Sequence, residues 1–535
     1  MIYIIGIIVS FIIYISIGAI LSRTIKSSSD YYVSGRQGTT LFVTGTLVAS
    51  FLSTVAFMGE VGFAYEGYPI PLLILVIFNA SGYVFGVFFF GRYLRRSKAL
   101  TVPEYFGNRF QSKKVRMAAA ITTVLGLTAY SVAVTQGASI LLGEILAMPY
   151  WMALIIIWLV YASFTVLSGA RGVMVNDTLM FILFTVATIV SFPFIISKTG
   201  GFPNAIINAT NIVEKPNLLS WHGITGESAY MGTPIEVLIW AIILGLVWGS
   251  VVAISPWQSS RYLMARNEHV AIRSGIWAMI SILFIYMALY PMVATINNLD
   301  TGLEPTEKVF IWAAMNIVPT WLGVIIVSGI FAAALSSAAA FLQLIGSSIA
   351  RDILEVSREK PYTDNELLKI SRISMVLASI IILLIGLWQP PAVMWIGYFA
   401  ATLFAASWGP VAFASIYSRT ITQEGAFWSI IAGFFGVIFG EVLKYFGVAL
   451  PVYLHPVIIG TALAGIALVV GSRFGEVSEA ERLYREKLLT KPITDDEEEE
   501  MRISKRYPVY LVIAGVFLIV FTFMYYYIPV TSAMP

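Results

Sequence analysis

Long apolar stretches recur along the chain and are separated by short polar segments. A helix needs about 20 apolar residues to cross the bilayer hydrocarbon, so stretches near or above 18 residues predict membrane spans. The sequence predicts an all-α polytopic membrane protein with about fourteen spans: 1–22, 41–66, 70–91, 117–147, 150–169, 173–197, 235–256, 275–297, 320–350, 372–389, 391–417, 425–447, 452–472 and 507–528.

The basic residues predict the orientation of these spans. If the N-terminus is outside, the outer loops hold only four of the 33 Lys and Arg residues, namely Lys198, Lys215, Lys308 and Lys444. The inner loops then hold the large majority of the basic residues, and such an excess is typical of cytoplasmic loops. We therefore expect a multi-pass protein of the plasma or inner membrane. An even number of spans would place both termini on the extracellular or periplasmic side.

The composition narrows the classes of function. Hydrophobic residues make up 58% of the chain and charged residues 12%, with a mean hydropathy of +0.83, whereas soluble domains average about 25% charged residues. The absence of cysteine excludes disulfides, iron–sulfur clusters and thiolate zinc sites. No nucleophile–base constellation indicates an enzyme, and nothing indicates an organic cofactor or nucleic acid. The acidic run Asp495–Glu500, in the loop 473–506, is interpreted as a solvated surface, with regulatory docking as the alternative.

The predicted span 41–66 has small and hydroxylated residues in its middle, including Thr44–Thr46, Ala49–Ser50 and Ser53–Thr54. Close packing of helices selects the same residue types. A broken helix whose freed carbonyls line a cavity would also explain them. From the residues alone both interpretations remain open.

A pair of serines, Ser336 and Ser337, lies deep in the apolar span 320–350. The hydroxyls could simply bond to carbonyls one turn earlier in the same helix. They could also join carbonyls of a broken helix, because a small hard cation prefers oxygen ligands. This second interpretation favours a sodium site.

Two blocks of five predicted spans, 41–197 and 235–417, enter the membrane from opposite sides, because five is odd. Each is expected to open with an interrupted helix, the second through Gly245, Gly249 and Ser250. Inverted repeats of this kind mark a midplane solute site in secondary transporters. We therefore divide the chain into a first span with a cytoplasmic linker (1–40), two five-helix repeats (41–197 and 235–417), an extracellular loop (198–234) and peripheral C-terminal helices (418–535).

Three loop segments resemble motifs of the sodium/solute symporter family, and the resemblance runs from about residue 20 to 475. They are SDYYVSGR at 29–36, LTVPEYF at 100–106 and RYLMAR at 261–266, the last preceded by Ser260 where the family has glutamine. Together with the serine pair, they imply the leucine-transporter fold, a five-plus-five inverted repeat.

The resemblance also implies a sodium site. Its ligands would be the carbonyls of three residues and the hydroxyls of two: Ala49, Leu52, Ala333, Ser336 and Ser337. Asp177 matches an aspartate of the family whose implied role is to draw sodium inward on its exit path. Some members hold a second sodium through hydroxyls at positions that here are Ala339 and Ala340. This departure implies one sodium per cycle.

The implied solute positions, by resemblance to sugar-carrying members, are Ala56, Asn79, Tyr83, Trp248, Met287 and Tyr398. The sugar carriers have more amide and charged side chains at these positions. The segments 49–53, 57–59, 62–65 and 390–395 look closer to the pantothenate and monocarboxylate branch. A carboxylate would have to rely on half-helix N-termini near Ser53 and Ser250, since no Lys or Arg lies in the middle of a predicted span.

We therefore predict a sodium-coupled symporter, functional as a monomer, that imports a small polar solute, with a small organic monocarboxylate preferred. One sodium per monocarboxylate would make uptake insensitive to voltage. A proline-like amino acid or a sugar is the alternative solute. A proton-coupled carrier would have Asp177 as its only titrating candidate, and a channel or a non-transporting membrane sensor is the alternative of a different class.

Overall fold

The computed structural model describes residues 2–227, 229–389, 393–491 and 497–533. Pro390–Ala392 of the segment that resembles the monocarboxylate branch, and Asp495–Asp496 of the acidic run, lie outside the described residues. The described backbone is helical, with one isolated β-bridge. The helices are α1 Ile2–Ser22, α2 Ser28–Val33, α3 Thr40–Phe51, α4 Val61–Glu66, α5 Pro69–Gly86, α6 Arg92–Ser97, α7 Val102–Arg109, α8 Lys113–Leu146, α9 Tyr150–Lys198, α10 Asn204–Thr210, α11 Pro234–Ile254, α12 Pro256–Met264, α13 Glu268–Ala294, α14 Val309–Asn316, α15 Thr320–Ser347, α16 Asp364–Leu387, α17 Val393–Tyr417, α18 Gln423–Tyr445, α19 Pro456–Gly471, α20 Glu479–Leu489, α21 Glu497–Ser504, α22 Tyr507–Phe521 and α23 Ile528–Ala533.

Twelve described helical segments are long and apolar enough to cross a membrane, and a bent pair, α3 with residues 55–66, brings the number to 13. Helix α9 counts once among the twelve, although its 49 residues would extend for about 74 Å if they were straight, about 2.5 times the hydrocarbon thickness. It contains a non-helical residue, Gly169, at φ 53° and ψ −148°. The all-α membrane class is confirmed, whereas the count of about fourteen spans stays a prediction.

Contacts at its ends favour two crossings by α9. Glu144, just before its start, pairs with Lys308 at 2.6 Å. The hydroxyl of Thr199, just after its end, lies 3.0 Å from that of Thr295. Both belong to the end of the molecule where α4 meets the loop after α13, whereas Gly169 packs against Tyr31 at the other end. The chain therefore turns back near Gly169.

The two ends of the molecule differ in charge. The end that we call the basic end carries Arg95, Arg96 and Arg266, whose guanidinium groups bond to the loop between α12 and α13 or to neighbouring carboxylates. The start of α1 and the last described helix, α23, pack at the opposite end. There, Tyr3 donates to the carbonyl of Ala314 at 3.0 Å, and α23 packs on α10. The even number of crossings predicted from the sequence is compatible with this arrangement and stays a prediction.

Helices α3 and α4 form the broken span that one of the two sequence interpretations required. The backbone leaves the helix at Leu52, with φ −74° and ψ 116°, and the two halves meet at 55°. The side chain of Ser53 accepts a hydrogen bond from the N–H of Val55 at 3.1 Å. It thereby caps the second half in the way that serine caps other helix N-termini.

The second interrupted helix is broken at a different residue from the one we expected. Helix α11 runs without a break through Gly245 and Gly249 and ends at Ile254, where Ser255 is extended and Pro256 begins α12. Proline cannot donate a backbone hydrogen bond and disfavours helical geometry in the residue before it. The glycines instead let α11 approach the backbone of α5 closely, so small residues serve packing here.

The first helices of the two blocks meet in opposite directions. Gly38, just before the start of α3, forms a β-bridge with Ala265, just after the end of α12. The N–H of Gly38 donates to the carbonyl of Met264 at 2.9 Å, and the N–H of Arg266 donates back to Gly38 at 3.0 Å. One block therefore begins where the first span of the other block ends, as an inverted repeat requires.

The sequence interpretation of the acidic run as a solvated surface does not hold for Glu500. It is buried, and its carboxylate accepts from Arg266 at 2.7 Å, Asn267 at 3.1 Å and Arg273 at 2.5 Å. The segment before the last span is thus docked on the loop between α12 and α13 at the basic end.

Candidate functional site

The hydroxyls of the serine pair reach the carbonyls that the break in α3 sets free. Ser336 donates to the carbonyl of Ala49 at 2.8 Å and also lies 2.9 Å from that of Ala333. Ser337 lies 3.4 Å from the carbonyl of Ala49 and 3.5 Å from that of Leu52. All five residues of the predicted sodium site therefore converge, and all are buried.

These oxygens suit a small hard cation. Oxygen ligands at about 2.3–2.6 Å, as found around calcium, place neighbouring oxygens about 3.3–3.7 Å apart in an octahedral shell. The distances of Ser337, 3.4 and 3.5 Å, match this range, whereas those of Ser336, 2.8 and 2.9 Å, are hydrogen bonds that a bound ion would replace. Neutral carbonyls and hydroxyls match a monovalent ion, whereas a divalent ion usually recruits carboxylates. No group of three or more His, Asp and Glu side chains in the described part of the chain could hold a metal.

Asp177 lies on the side of this site that faces the basic end. Its carboxylate accepts a hydrogen bond from Thr46, one turn before Ala49 in α3. It also interacts electrostatically with Arg261 of α12, a fully buried residue. Because α3 starts at the basic end, an ion that leaves toward that end passes this carboxylate.

Several predicted solute residues gather next to the break. The ring of Trp248 packs edge-to-face on Phe51 at 5.8 Å and on Tyr398 at 5.2 Å. Tyr83 packs on Phe51 at 6.1 Å and donates to the side chain of Gln258 at 3.1 Å. Through these ring contacts, α3, α5, α11 and α17 meet beside the break.

Three further predicted residues are buried nearby. Ala56 and Ser53 lie within the broken segment, and Asn79 lies one turn before Tyr83 in α5. The carboxamide oxygen of Asn79 has no hydrogen-bond partner among the described residues. A buried amide oxygen of this kind is costly unless a partner arrives, which makes Asn79 a candidate contact for a polar solute.

Two predicted solute residues do not reach this region, and those assignments need correction. Ser250 is half-buried and lines an outer groove with Leu246, which is 54% exposed. Met287 accepts a weak hydrogen bond from Thr522 in the last span, at 3.8 Å. Both residues lie on the expected helices, but their side chains lie on helix faces that point away from the break. A residue only one or two positions from an inward-facing residue of the same helix does not share its face.

Sequence reasoning gave no role to Glu60, which the structure buries in the second half of the broken span. Glu60 follows the break by two helical turns and is only 6% exposed. Its carboxylate accepts from Tyr290 at 2.6 Å and from Tyr398 at 2.9 Å. An ionisable residue well inside an apolar span indicates function by default, and that signal was present in the sequence.

Comparison with known proteins gives the same family as the sequence motifs. The family model "Sodium:solute symporter family" matches residues 31–433. The sodium/proline symporter of Escherichia coli K12 is 24% identical over 88% of this chain and 94% of its own length. The sodium/pantothenate symporter of the same organism is 23% identical over 84% and 90%.

A solved structure shares the fold. It is the substrate-bound, outward-open state of a Na⁺-coupled sialic acid symporter, which is 18% identical and covers 90% of this chain and 99% of its own, with a TM-score of 0.76. The predicted symporter fold with a five-plus-five inverted-repeat core is therefore confirmed. The broken span, the serine pair that closes it and the family match over 31–433 together establish that the chain belongs to the sodium:solute symporter family.

Proposed function

We propose that this protein imports a small polar organic solute together with one sodium ion, which binds to the carbonyls of Ala49, Leu52 and Ala333 and the hydroxyls of Ser336 and Ser337. Membership of the family supports sodium-coupled transport. The observation that carries the residue assignment is the convergence of these oxygens, 2.8–3.5 Å apart, across the break in α3.

Sodium in this site would join α15 to the first half of the broken span and so favour one arrangement of the two blocks. A bound ion shifts such an equilibrium only by its differential affinity for the two states. Asp177, between the site and the basic end, would attract the ion during its release. The apolar residues Ala339 and Ala340 supply no hydroxyls for a second ion, which supports a stoichiometry of one.

The direction of transport rests on the basic end being cytoplasmic, as the distribution of Lys and Arg supports. One positive charge that enters through 100 mV releases about 2.3 kcal/mol. A tenfold sodium gradient adds about 1.4 kcal/mol. For a neutral or zwitterionic solute the two terms together would sustain an accumulation of several hundredfold.

The preference for a monocarboxylate meets an obstacle in Glu60. Its carboxylate lies where Tyr398, a predicted solute residue, also points. A second carboxylate beside it would be repelled, and like charges within a few ångströms disfavour both ionised forms. Of the solute classes that the sequence left open, a monocarboxylate, a proline-like amino acid and a sugar, the amine-bearing amino acid fits this charge better than the monocarboxylate does.

Transport by purified protein in proteoliposomes tests the proposal. Radiolabelled carboxylates, amino acids and sugars are offered with an inward sodium gradient, and with potassium in its place. We expect accumulation of one class with sodium only. A zwitterion with one sodium should carry inward current, whereas a monocarboxylate with one sodium should carry none. Accumulation driven equally well by a proton gradient without sodium would refute sodium coupling.

The variant Asp177→Asn tests the exit role separately. It keeps the shape of the side chain and its bond with Thr46 but removes the charge. We expect sodium to be bound from outside with nearly unchanged affinity, while sodium release and turnover slow. Glu144→Gln, at the opposite end of the molecule, serves as the control. An Asp177→Asn variant with a wild-type turnover rate would argue against this role.

A further inference from the structure

Glu60 is a buried acid whose two oxygens face hydroxyl groups. Tyr290 from α13 and Tyr398 from α17 each donate to one oxygen, at 2.6 and 2.9 Å. Among the described residues, no Lys, Arg or His forms an ion pair with it. Three helices of both blocks thus converge on a carboxylate that has no cationic partner.

Such a carboxylate is incompletely satisfied. An ionised carboxylate has about four lone-pair positions. Tyr290 and Tyr398 fill two of them, and the hydroxyl of Tyr286 is a third neutral partner, so none of these partners carries a positive charge. Burial of a charge without a counter-charge costs several kcal/mol. The sodium site cannot supply that charge at contact distance, because Leu52 precedes Glu60 by eight residues, or about two turns.

The surroundings of the carboxylate are aromatic rather than basic. The ring of Tyr398 packs on Trp248 at 5.2 Å and on Trp395 at 6.0 Å. Trp395 in turn stacks on Tyr230 at 5.0 Å. Aromatic faces attract cations, tryptophan most strongly, and cages of such rings recognise ammonium groups in other proteins.

We propose that Glu60, with Tyr290 and Tyr398, forms the binding site for an ammonium group of the transported solute. Primary or secondary ammonium N–H groups would donate to the carboxylate, while the carbon skeleton packs on the rings of Trp248 and Trp395. This inference rests on the proposed transport function and names the class of its solute. It replaces the monocarboxylate by an amine-bearing compound, with neutral amino acids as the simplest members.

Binding of matched compounds to the purified protein distinguishes the possible solute classes. The melting temperature of the protein in detergent is measured in sodium chloride with matched sets of compounds: 2-aminobutyrate, butyrate and butylamine; proline, cyclopentanecarboxylate and pyrrolidine. Ligand binding stabilises the folded state in proportion to ln(1 + [L]/Kd). We expect at least one amine-bearing member to raise the melting temperature, and the matching compound that has only a carboxylate to have no effect.

Two variants then test the residues. Glu60→Gln keeps the shape and removes the charge, and it should weaken binding of the effective amine by about 10- to 100-fold, as loss of a charged hydrogen-bond partner does. Glu66→Gln, in the same span but bonded to Thr306, should leave the affinity within about twofold. If Glu60→Gln does not fold, Tyr398→Phe removes one donor to Glu60 and should change the affinity for the amine without changing that for sodium.

The outcomes distinguish this inference from the proposed function. If sodium alone stabilises the protein relative to potassium but no amine does, or if butyrate binds and its amine analogue does not, the ammonium site is refuted while sodium coupling stands. Unchanged amine affinity in Glu60→Gln, or in Tyr398→Phe where Glu60→Gln does not fold, refutes the site as well. If sodium produces no stabilisation in the wild type, the proposed function itself fails.

Discussion

Replacement of both serines of the pair, Ser336→Ala with Ser337→Ala, removes two of the five proposed sodium ligands and leaves three backbone carbonyls in place. The hydroxyls also bond to the carbonyls of Ala49 and Ala333 in the ion-free structure, so the variant loses stability for a second reason. Each such hydrogen bond contributes about 0.5–1.5 kcal/mol, which lowers the melting temperature but does not involve sodium.

The effect on sodium is larger and can be separated from the effect on stability. A polar group that contacts a charge contributes about 1.5–3 kcal/mol. Loss of two therefore costs about 3–6 kcal/mol, which corresponds to about a hundredfold to ten-thousandfold in affinity at 1.4 kcal/mol per decade. Even the lower figure moves the midpoint for sodium out of the range of a normal titration.

The assay is the melting temperature as a function of sodium concentration, with choline chloride keeping the ionic strength constant. The sodium midpoint, rather than the melting temperature itself, reports the site. Ser139→Ala is the matched control, because Ser139 is equally buried and its hydroxyl bonds to Thr135 in its own helix. A folded double variant whose sodium midpoint stays within threefold of the wild type would falsify the site assignment.

Three further predictions concern residues outside the membrane-spanning helices, on both sides of the membrane. Val213→Cys, at a position that is 86% exposed, should react with an impermeant maleimide from outside and Thr490→Cys only after permeabilisation; the reverse pattern would overturn the orientation. Burial lowers the pKa of Lys215 to about 8 from 10.5, which penalises the folded state most below pH 8, so the wild type should gain stability relative to Lys215→Gln between about pH 8 and 10.5; a constant difference contradicts this. Glu500→Gln should leave Arg273 without its charged partner and destabilise the protein by about 1–3 kcal/mol, and an unchanged melting temperature would show that the docked segment contributes nothing.

The fold class and the place of the first break could be predicted because both leave strong local signals. Apolar length alone identifies spans. A cluster of small and hydroxylated residues around Ala49–Thr54 marks a segment that is not lipid-facing. The partner segment was equally visible, since Ser336 and Ser337 are adjacent hydroxyl residues with alanines close by on both sides in an apolar span. Neither signal depends on the path of the rest of the chain.

The second break and two solute residues could not be located in this way. Gly245 and Gly249 are compatible with an interrupted helix and with a close helix contact, and only the position of α5 decides between them. Ser250 and Met287 lie on the expected helices, but which face of a helix points inward depends on its rotation about its own axis. The three-dimensional packing sets that rotation, and a local motif does not encode it.

The broken span offers a physical route from the ion to the solute. Its first half ends in the carbonyls of Ala49 and Leu52, which meet the serine pair, and its second half carries Glu60, which meets Tyr290 and Tyr398. The two halves join through a short break at which Leu52 is extended, so their mutual angle of 55° can change at little cost in backbone hydrogen bonds. An ion that fixes the first half against α15 restricts the positions open to the second half. Sodium would therefore raise the affinity for the solute by presenting Glu60 to it, and by reciprocity the solute would raise the affinity for sodium by the same factor.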